Sequence, residues 1–190
     1  MNGYSQRQSE TIVKMILDAE VYEKFEREAR KPKIEKVWAM PNHKTFEIPP
    51  IKKLLQEETL PGEVIDPFPH PFQRDAIQYL KGIKSESQVN VRFDPPYSQR
   101  QLREMYDSIG ESLEMNNGYW AKCREQIARI VKPGGRVISF GWNSTGIGKG
   151  LGFRQYRILL VAHGSQHNDT IVTCEVKEQS SLDYIREGES

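Results

Sequence analysis

Two short segments of this chain place an acid and one or two prolines directly after an apolar run. Proline cannot continue a helix or a central strand, so each run ends there and the backbone that follows is held rigid. A carboxylate accepts hydrogen bonds, and an aromatic ring offers a flat face for stacking. Each segment is therefore a candidate site as well as a strand end: the first is Asp66, Pro67 and Phe68 in "VIDPF", and the second is Asp94, Pro95, Pro96 and Tyr97 in "VRFDPPYSQR".

The apolar patterns around these segments predict the elements that position them. Strands are predicted for "EVIDPF" and "VNVRF", and helices for "IKKLLQEE" after two prolines, "DAIQYLKGI", "SQRQLREMYDSIG" and "YWAKCREQIARIV". "KPGGRVISFGW" predicts a turn and then a strand, and residues 153–178 predict an antiparallel hairpin. This order indicates an α/β sheet with an antiparallel edge, whose ligands bind outside the carboxyl ends of the strands.

Length and charge limit the functions that are open to the chain. Its 190 residues fit one domain, and its formal net charge of +1 gives no global basic field, so a nucleic acid would need a local patch. The two cysteines lack a metal-binding spacing, and His163, His167 and Asp169 span a turn, so no metal site is predicted. No signal peptide or membrane-spanning run is visible, which predicts a soluble intracellular protein.

The sequence pattern divides the chain into three parts. Residues 1–36 are predicted to be an N-terminal helical extension, because apolar residues recur at helical spacing over 10–30. Residues 37–177 are the predicted α/β domain. Residues 178–190 are a polar tail that is predicted to be flexible.

The combination of "IDPF", "DPPY" and "KPGG-VISF" resembles the amino-methylating DNA methyltransferases, which use S-adenosylmethionine to methylate adenine N6 or cytosine N4. "WAMPN", "FDPPYS" and "ISFGWN…GIGK" are most similar to a compact branch of phages and prophages. The resemblance covers roughly residues 37–177 and implies a class I methyltransferase (Rossmann-like) sheet with a C-terminal antiparallel hairpin. It also implies S-adenosylmethionine as cofactor, DNA as partner, and the cytoplasm of a bacterial or phage-infected cell.

In this resemblance, Asp94, Pro95, Pro96 and Tyr97 are the catalytic residues that hold a base swung out of the double helix. The exocyclic amine of a base is a poor nucleophile because its lone pair is delocalised into the ring. The Asp94 side chain and the Pro95 carbonyl would each accept an amine N–H, and Tyr97 would stack on the base, a contact worth roughly 1–3 kcal/mol. Positioning would supply much of the rate, because the methyl donor is already cationic.

The resemblance assigns the cofactor site to Asp66, Pro67 and Phe68, and to Phe46 in "TFEIPPIKKLL". Phe46 fits a hydrophobic staple before a helix equally well. Two departures concern this site: the family's glycine-containing turn after Asp-Pro-Phe is absent, and only about 25 residues separate Phe68 from Asp94. One or two strands are therefore predicted to be missing between Phe68 and Val89. Three explanations stay open: the chain is a reduced, non-catalytic relative; a protein partner, a second copy of the chain or residues 1–36 completes the pocket; or a flexible loop is absent from this sequence.

The glycine-rich segment "GWNSTGIGKGLG" lacks the spacing of a phosphate-binding P-loop. It is predicted to be a mobile loop near the bound base, with Asn143 at the substrate and with Lys149 and Arg154 on DNA phosphates. A plain surface loop is the alternative.

The sequence thus predicts a site-specific DNA methyltransferase that acts on adenine N6, with cytosine N4 as the other acceptor. No block of sequence is left over for a target-recognition domain, so sequence preference would be short or would come from a partner. Two alternatives stay open: a catalytically degenerate interaction module with the same fold, and a methyltransferase that acts on RNA or on a protein amide.

Overall fold

The structure is a computed structural model that describes residues 31–68, 74–108, 118–164 and 168–178. The chain divides into two compact units, Met1–Pro32 and Lys33–Ser190, and the description below concerns the second unit. The predicted helix at 10–30, His167 and the polar residues from 179 onward lie outside the described residues.

Strands and helices alternate along most of the chain, which then ends in a hairpin. The strands are β1 (Lys33–Trp38), β2 (Val64–Ile65), β3 (Gln88–Phe93), β4 (Val131–Gly141), β5 (Phe153–Ala162) and β6 (Thr170–Lys177). The helices are α1 (Pro49–Glu58), α2 (Ala76–Lys81), α3 (Gln99–Asp107) and α4 (Tyr119–Ile130), with 3-10 turns at Thr45–Glu47 and Lys149–Leu151. None of the helices in the described ranges has the length and apolarity that a membrane span requires.

The six strands form one mixed sheet in the order β1-β5-β6-β4-β3-β2. β2, β3 and β4 run parallel, β6 is antiparallel to both β4 and β5, and β1 lies parallel to β5. The prediction of an α/β sheet with a C-terminal antiparallel hairpin is confirmed. β2 and β3 are parallel neighbours, and Asp66 and Asp94 directly follow them. The two acids therefore lie at the same end of the sheet, beyond the carboxyl ends of these strands.

Strand β2 is the shortest strand of the described sheet. It is two residues long and lies at the outer edge, with β3 as its neighbour. Between Phe68 and β3, the described residues from 74 onward form helix α2 and no strand. The connection is therefore as short as the sequence spacing predicts.

Apolar clusters cover both faces of the sheet, as neighbouring residues of β4 show: Val137 belongs to one cluster and Ile138 to the other. On the first face, α2, α3 and α4 pack through residues that recur at helical spacing, such as Leu102 and Tyr106 in α3. On the second face, α1 buries Ile51, Leu54 and Leu55.

Helix starts follow the capping rules. Pro49 occupies the first turn of α1, where the missing N–H costs nothing. The Asp75 carboxylate accepts the Gln78 amide at 2.9 Å and begins α2, and the Ser98 hydroxyl accepts the Gln101 amide at 3.2 Å and begins α3.

One detail differs from the sequence prediction. β1 begins at Lys33, so residues 33–36, which the sequence places in the extension, pair with β5. The "KPGG" segment falls within the bounds of β4, but its residues 132–135 have no partner on β3, because the pairing jumps from Gln88 with Val131 to Asn90 with Arg136. Gly134 has a φ of 76°, a conformation that glycine adopts without steric cost.

Candidate functional site

The Asp94–Tyr97 segment is fixed from both sides. Phe93, the last residue of β3, is buried, and α3 begins with Ser98 directly after the segment. The Tyr97 amide donates to Gln101 Oε1 at 3.0 Å, and the Trp120 indole N–H of α4 donates to the Pro96 carbonyl at 3.2 Å. The two prolines and these bonds hold one backbone path between β3, α3 and α4.

Asp94 and Tyr97 form a hydrogen-bonded pair. The Tyr97 hydroxyl donates to Asp94 Oδ1 at 3.0 Å. Burial raises the pKa of Asp94 to about 6, against the opposing effect of the Tyr97 hydrogen bond. Burial, and then the negative charge of Asp94, holds the pKa of Tyr97 well above its usual value. Tyr97 is therefore a neutral phenol whose proton points at the carboxylate.

A cavity of about 230 Å³ lies beside this pair, between the carboxyl ends of β3 and β4, helix α4 and the loop that follows β4. We call it the β3–β4 cavity. Aromatic rings make up much of its wall, and one basic group and several polar groups complete it. Its lining residues are Phe93, Pro95, Pro96, Tyr97, Trp120, Arg124, Ser139, Phe140, Gly141, Trp142, Asn143, Thr145 and Gly146.

Trp142 covers the ring of Tyr97. Their ring centroids are 5.2 Å apart at an interplanar angle of 39°, and Trp142 remains 50% exposed. A ligand ring that stacks on this face of Tyr97 must therefore take the place of Trp142. The indole can move at low cost, because half of it is already in solvent.

The loop after β4 is anchored from below by Glu175 of β6. This carboxylate is fully buried and accepts the amides of Ile147 at 2.6 Å and Gly148 at 3.0 Å. Burial raises the pKa of Glu175 in spite of these bonds. Gly146 has a φ of 57°, and a Cβ there would collide with the Glu175 carboxylate. The loop, which the sequence predicts to be mobile, is thus tied to the sheet in this structure.

The residues assigned to the cofactor lie apart from this cavity. We call Phe46, Asp66, Phe68 and Arg92 the Phe46 cluster: Phe46 packs on the second face of the sheet and Phe68 on the first, and the charges of Asp66 and Arg92 lie within electrostatic range of each other. The Phe46 ring meets Phe140 edge-on at 5.1 Å, and the Arg92 guanidinium lies 4.4 Å from the centroid of the Phe46 ring. Phe68 is buried against Phe93 at 5.8 Å, and its amide donates to Asp66 Oδ1 at 3.2 Å.

Charge links the Phe46 cluster to the Asp94–Tyr97 pair. Burial raises the pKa of Asp66 to about 6, and the charge of Asp66 in turn helps to raise the pKa of Asp94. Arg92 lowers both values, so its cation lies within electrostatic range of both carboxylates. Its Nε–H is buried and has no hydrogen-bond partner among the described residues. Such a donor is costly unless a ligand satisfies it.

The structure brings together only some of the residues that the sequence assigns to the site. Pro95, Pro96, Tyr97 and Asn143 line the β3–β4 cavity, and Asp94 adjoins it through Tyr97. Phe46, Asp66, Pro67 and Phe68 are absent from its lining, as are Lys149 and Arg154. Lys149 is exposed on its 3-10 turn, and Arg154 donates to Glu178 at 2.9 Å.

Sequence reasoning missed four residues that matter here: Arg92, Trp120, Arg124 and Trp142. A charge in the middle of the apolar run "VNVRF" is a signal that was available for Arg92. Trp120 and Arg124 are four residues apart in α4 and so share a helix face. Trp142 directly follows the last residue of β4, at the sheet edge where ligands bind.

Two other polar residues have structural roles. Both oxygens of Asp75 are used, one by the Gln78 amide and one by the Tyr119 hydroxyl at 2.8 Å. His163 is buried, and its ring nitrogens contact the Ala39 carbonyl and the Thr170 hydroxyl, each at 2.9 Å. Among the described residues, no group of three or more His, Cys, Asp or Glu side chains could hold a metal ion.

Comparisons with known proteins add little to this geometry. No protein-family model and no curated protein matches the chain. Three solved structures of a Thermus thermophilus protein, proposed to be a DNA modification methylase, do match, one as a selenomethionine derivative and one complexed with S-adenosyl-L-methionine. Their identities are 17%, 14% and 15%, and their TM-scores are 0.39, 0.38 and 0.37.

Each match covers 56% of this chain and 53%, 53% and 52% of the respective matched chains. The chain therefore spans about half the length of these structures. A likeness at this level carries no argument about activity, so the function must be argued from the site itself.

Proposed function

We propose that this chain is a class I methyltransferase that transfers a methyl group from S-adenosylmethionine to the exocyclic amine of a DNA base, adenine N6 in preference to cytosine N4. The observation that carries the proposal is the Asp94–Tyr97 pair. A buried carboxylate, oriented by a phenol hydroxyl, lies next to a cavity whose walls are largely aromatic.

The pair has the hydrogen-bonding capacity that an amine needs. Tyr97 occupies Oδ1 of Asp94, so Oδ2 can accept one amine N–H. The Pro95 carbonyl can accept the other, because Pro95 lines the cavity and its backbone is fixed. Two acceptors draw the amine hydrogens out of the ring plane, and the nitrogen lone pair becomes available. The ionised form of Asp94 performs this role, since only the carboxylate has no proton of its own to donate.

The aromatic walls fit a flat ring. A base that enters the β3–β4 cavity would replace Trp142 on the face of Tyr97 that Trp142 covers. The base would then stack on Tyr97 in place of the indole. The indole N–H of Trp120 is already used by Pro96, so this ring offers the base only its apolar surface. These features support stacking, and the polar edge of the base is left for Asp94 and Pro95.

The Phe46 cluster fits the cofactor in donor chemistry. The orphaned Nε–H of Arg92 would bind a carboxylate, such as that of a methionine moiety. Asp66 Oδ2 would accept from an amine or hydroxyl, and Phe46 offers a ring face that already holds a cation. When bound, S-adenosylmethionine supplies a methyl group on a positively charged sulfur. The two-residue strand β2 leaves this side short, so a protein partner or a second copy of the chain would complete it.

A methyl-transfer assay tests the proposal. Purified protein is incubated with radiolabelled S-adenosylmethionine and, in parallel, with unmethylated DNA, RNA and a protein mixture. Label on DNA in N6-methyladenine is the expected result, and label in N4-methylcytosine supports the other acceptor. Label on RNA or protein alone contradicts the proposal.

A second candidate function, a non-catalytic interaction module, is favoured by one observation. The Arg92 guanidinium lies on the Phe46 ring, the place where the resemblance expects a cofactor. Calorimetry with S-adenosylmethionine separates the two functions. If no heat is detected at millimolar cofactor and Arg92→Met restores none, the module is the better description.

A further inference from the structure

Arg124 is a basic residue of α4 that the sequence does not mark as functional. It follows Trp120 by one helical turn, and both line the β3–β4 cavity. Arg124 is half-buried, and no described group forms a hydrogen bond or an ion pair with it. Glu175 is close enough for the charge of Arg124 to lower its pKa. It is not an ion-pair partner of Arg124, because its carboxylate already accepts the amides of the loop.

Three other half-buried arginines of the same unit, Arg129, Arg136 and Arg157, have hydrogen-bond partners. Arg129 donates to the carbonyls of Leu80 at 2.8 Å and Ile83 at 2.9 Å. Arg136 and Arg157 both bind the Glu58 carboxylate, at 3.0 Å and 2.9 Å. An unpaired guanidinium in a partly desolvated position is unfavourable, because the charge loses water without gaining a partner. Arg124 therefore has the character of a group that awaits an anion.

The surroundings narrow the class of ligand. Arg124 shares its cavity with the rings of Tyr97, Trp120 and Trp142. A ligand that satisfies all of these groups has a flat ring and an anionic group a short distance away. Guanidinium binds phosphate in a planar, two-pronged manner, which makes a nucleotide the best match.

We propose that Arg124 binds the backbone phosphate attached to the nucleotide whose base enters the β3–β4 cavity. This inference rests on the proposed function and adds a phosphate subsite to it. The sequence suggests Arg154 for a contact with a DNA phosphate, but the Arg154 guanidinium already has Glu178 as its partner. The inference assigns a phosphate contact to Arg124 instead. Lys149 is exposed and absent from the cavity lining, so its contact with DNA would lie outside this subsite.

Fluorescence titration tests the subsite directly, since two of the three tryptophans line the cavity. The probes are deoxyadenosine, which has no phosphate, and its 5′- and 3′-monophosphates. We expect wild-type protein to bind one of the monophosphates at least tenfold more tightly than deoxyadenosine. Arg124→Gln should reduce this preference to within twofold and leave deoxyadenosine binding unchanged. Arg124→Lys should retain part of it, as a point charge without the planar fork.

Arg103→Gln is the matched control. Arg103 is exposed on α3 and does not line the cavity, so its removal should keep the preference of the wild type. On duplex DNA, Arg124→Gln should also reduce the slope of log affinity against log salt by about one, the value for one phosphate contact. Thermal melts of each variant show whether the fold is retained. If Arg124→Gln does not fold, the inference is judged from the binding preference of Arg124→Lys.

The outcomes separate this inference from the proposed function. The phosphate subsite is overturned if wild-type protein binds deoxyadenosine and both monophosphates equally. It is also overturned if the protein binds none of them and Arg124→Gln leaves the salt slope on duplex DNA unchanged. Methylation of DNA in the transfer assay would still support the proposed function in either case. If Arg124→Gln instead weakens S-adenosylhomocysteine and keeps the monophosphate preference, Arg124 serves the cofactor and the inference is wrong.

Discussion

The β3–β4 cavity and the Phe46 cluster lie at the same end of one sheet, yet they are supported very differently. β3 and β4 are central strands, and the loop above them is tied down by Glu175. Asp66 and Phe68 of the Phe46 cluster follow a two-residue edge strand, and α2 is the only described element between that strand and β3. Under the proposed function, the base site would need only the inner strands of the sheet, whereas a complete cofactor site would also need the edge strand.

The same contrast appears in the polar groups. Beside the β3–β4 cavity, the Asp94 carboxylate already has the Tyr97 hydroxyl as its partner. In the Phe46 cluster, a buried donor of Arg92 has none among the described residues. Under the proposed function, the base site would be preorganised and the cofactor site would be completed only when something binds. Four changes test this comparison, from the largest expected effect to the smallest.

The largest effect should come from Asp94→Ala set against Asp66→Ala. We expect Asp94→Ala to reduce methyl transfer by about a thousandfold, because the amine loses its acceptor, with cofactor affinity within a factor of about two. Asp66→Ala should instead weaken the cofactor about tenfold or more. Single-turnover rates and calorimetry measure the two quantities. Loss of both by Asp94→Ala would show that Asp94 supports the fold instead of the reaction.

Glu175→Ala should have the next largest effect, on stability. Removal of the carboxylate leaves the buried amides of Ile147 and Gly148 without an acceptor, which should cost on the order of 2–4 kcal/mol in the free energy of unfolding. Proteolysis within residues 141–152 should become faster. Glu175→Gln keeps one acceptor oxygen and serves as the control, with a smaller loss. Unchanged cleavage and unfolding in the alanine variant would mean that the loop does not depend on Glu175.

The pKa values of Asp66 and Asp94 predict how stability varies with pH. Both rise from 3.8 to about 6 in the folded protein, so folding favours their protonated forms. Their contribution is fully present below about pH 4 and is lost as the pH rises through about 6. The single variant Asp66→Asn should therefore match wild type near pH 4 and be more stable near pH 7 by on the order of 2–3 kcal/mol.

Urea unfolding at several pH values measures this difference. A gap that is already present at pH 4, or one that does not grow between pH 4 and pH 7, contradicts the assigned pKa values. In the proposed function the ionised carboxylate holds the base, so methyl transfer should rise over the same range in the wild type.

Trp142→Ala should have the smallest effect. It exposes the ring of Tyr97, so deoxyadenosine should bind roughly two- to tenfold more tightly, as expected when one aromatic contact no longer competes. The free energy of unfolding should change by less than about 1 kcal/mol, because the indole is half exposed. Trp38→Ala is the control, because Trp38 is an exposed tryptophan on β1 that does not line the cavity. Weaker binding in Trp142→Ala would mean that the indole stacks on the base instead of making way for it.

Local patterns in the sequence anticipated much of this fold. Proline positions, helical spacing and capping residues act over a few neighbouring residues, so the start of α1 at Pro49 and the cap of α2 at Asp75 could be predicted from the sequence. The two glycines at 134–135 are unpaired and Gly134 has a positive φ, as the predicted turn requires. Val131, before the turn, also pairs with β3, and that pairing with a distant strand is contained in no local pattern.

The sequence alone determined which segments end strands, and therefore that Asp66 and Asp94 lie at one edge of the sheet. Only the tertiary structure decided what surrounds them. Trp120, Arg124, Trp142 and Glu175 come from a helix, a loop and the final strand, and their convergence depends on packing between elements far apart in the chain. Arg92 lies on Phe46 for the same reason, since the direction of a side chain is fixed by what packs against it.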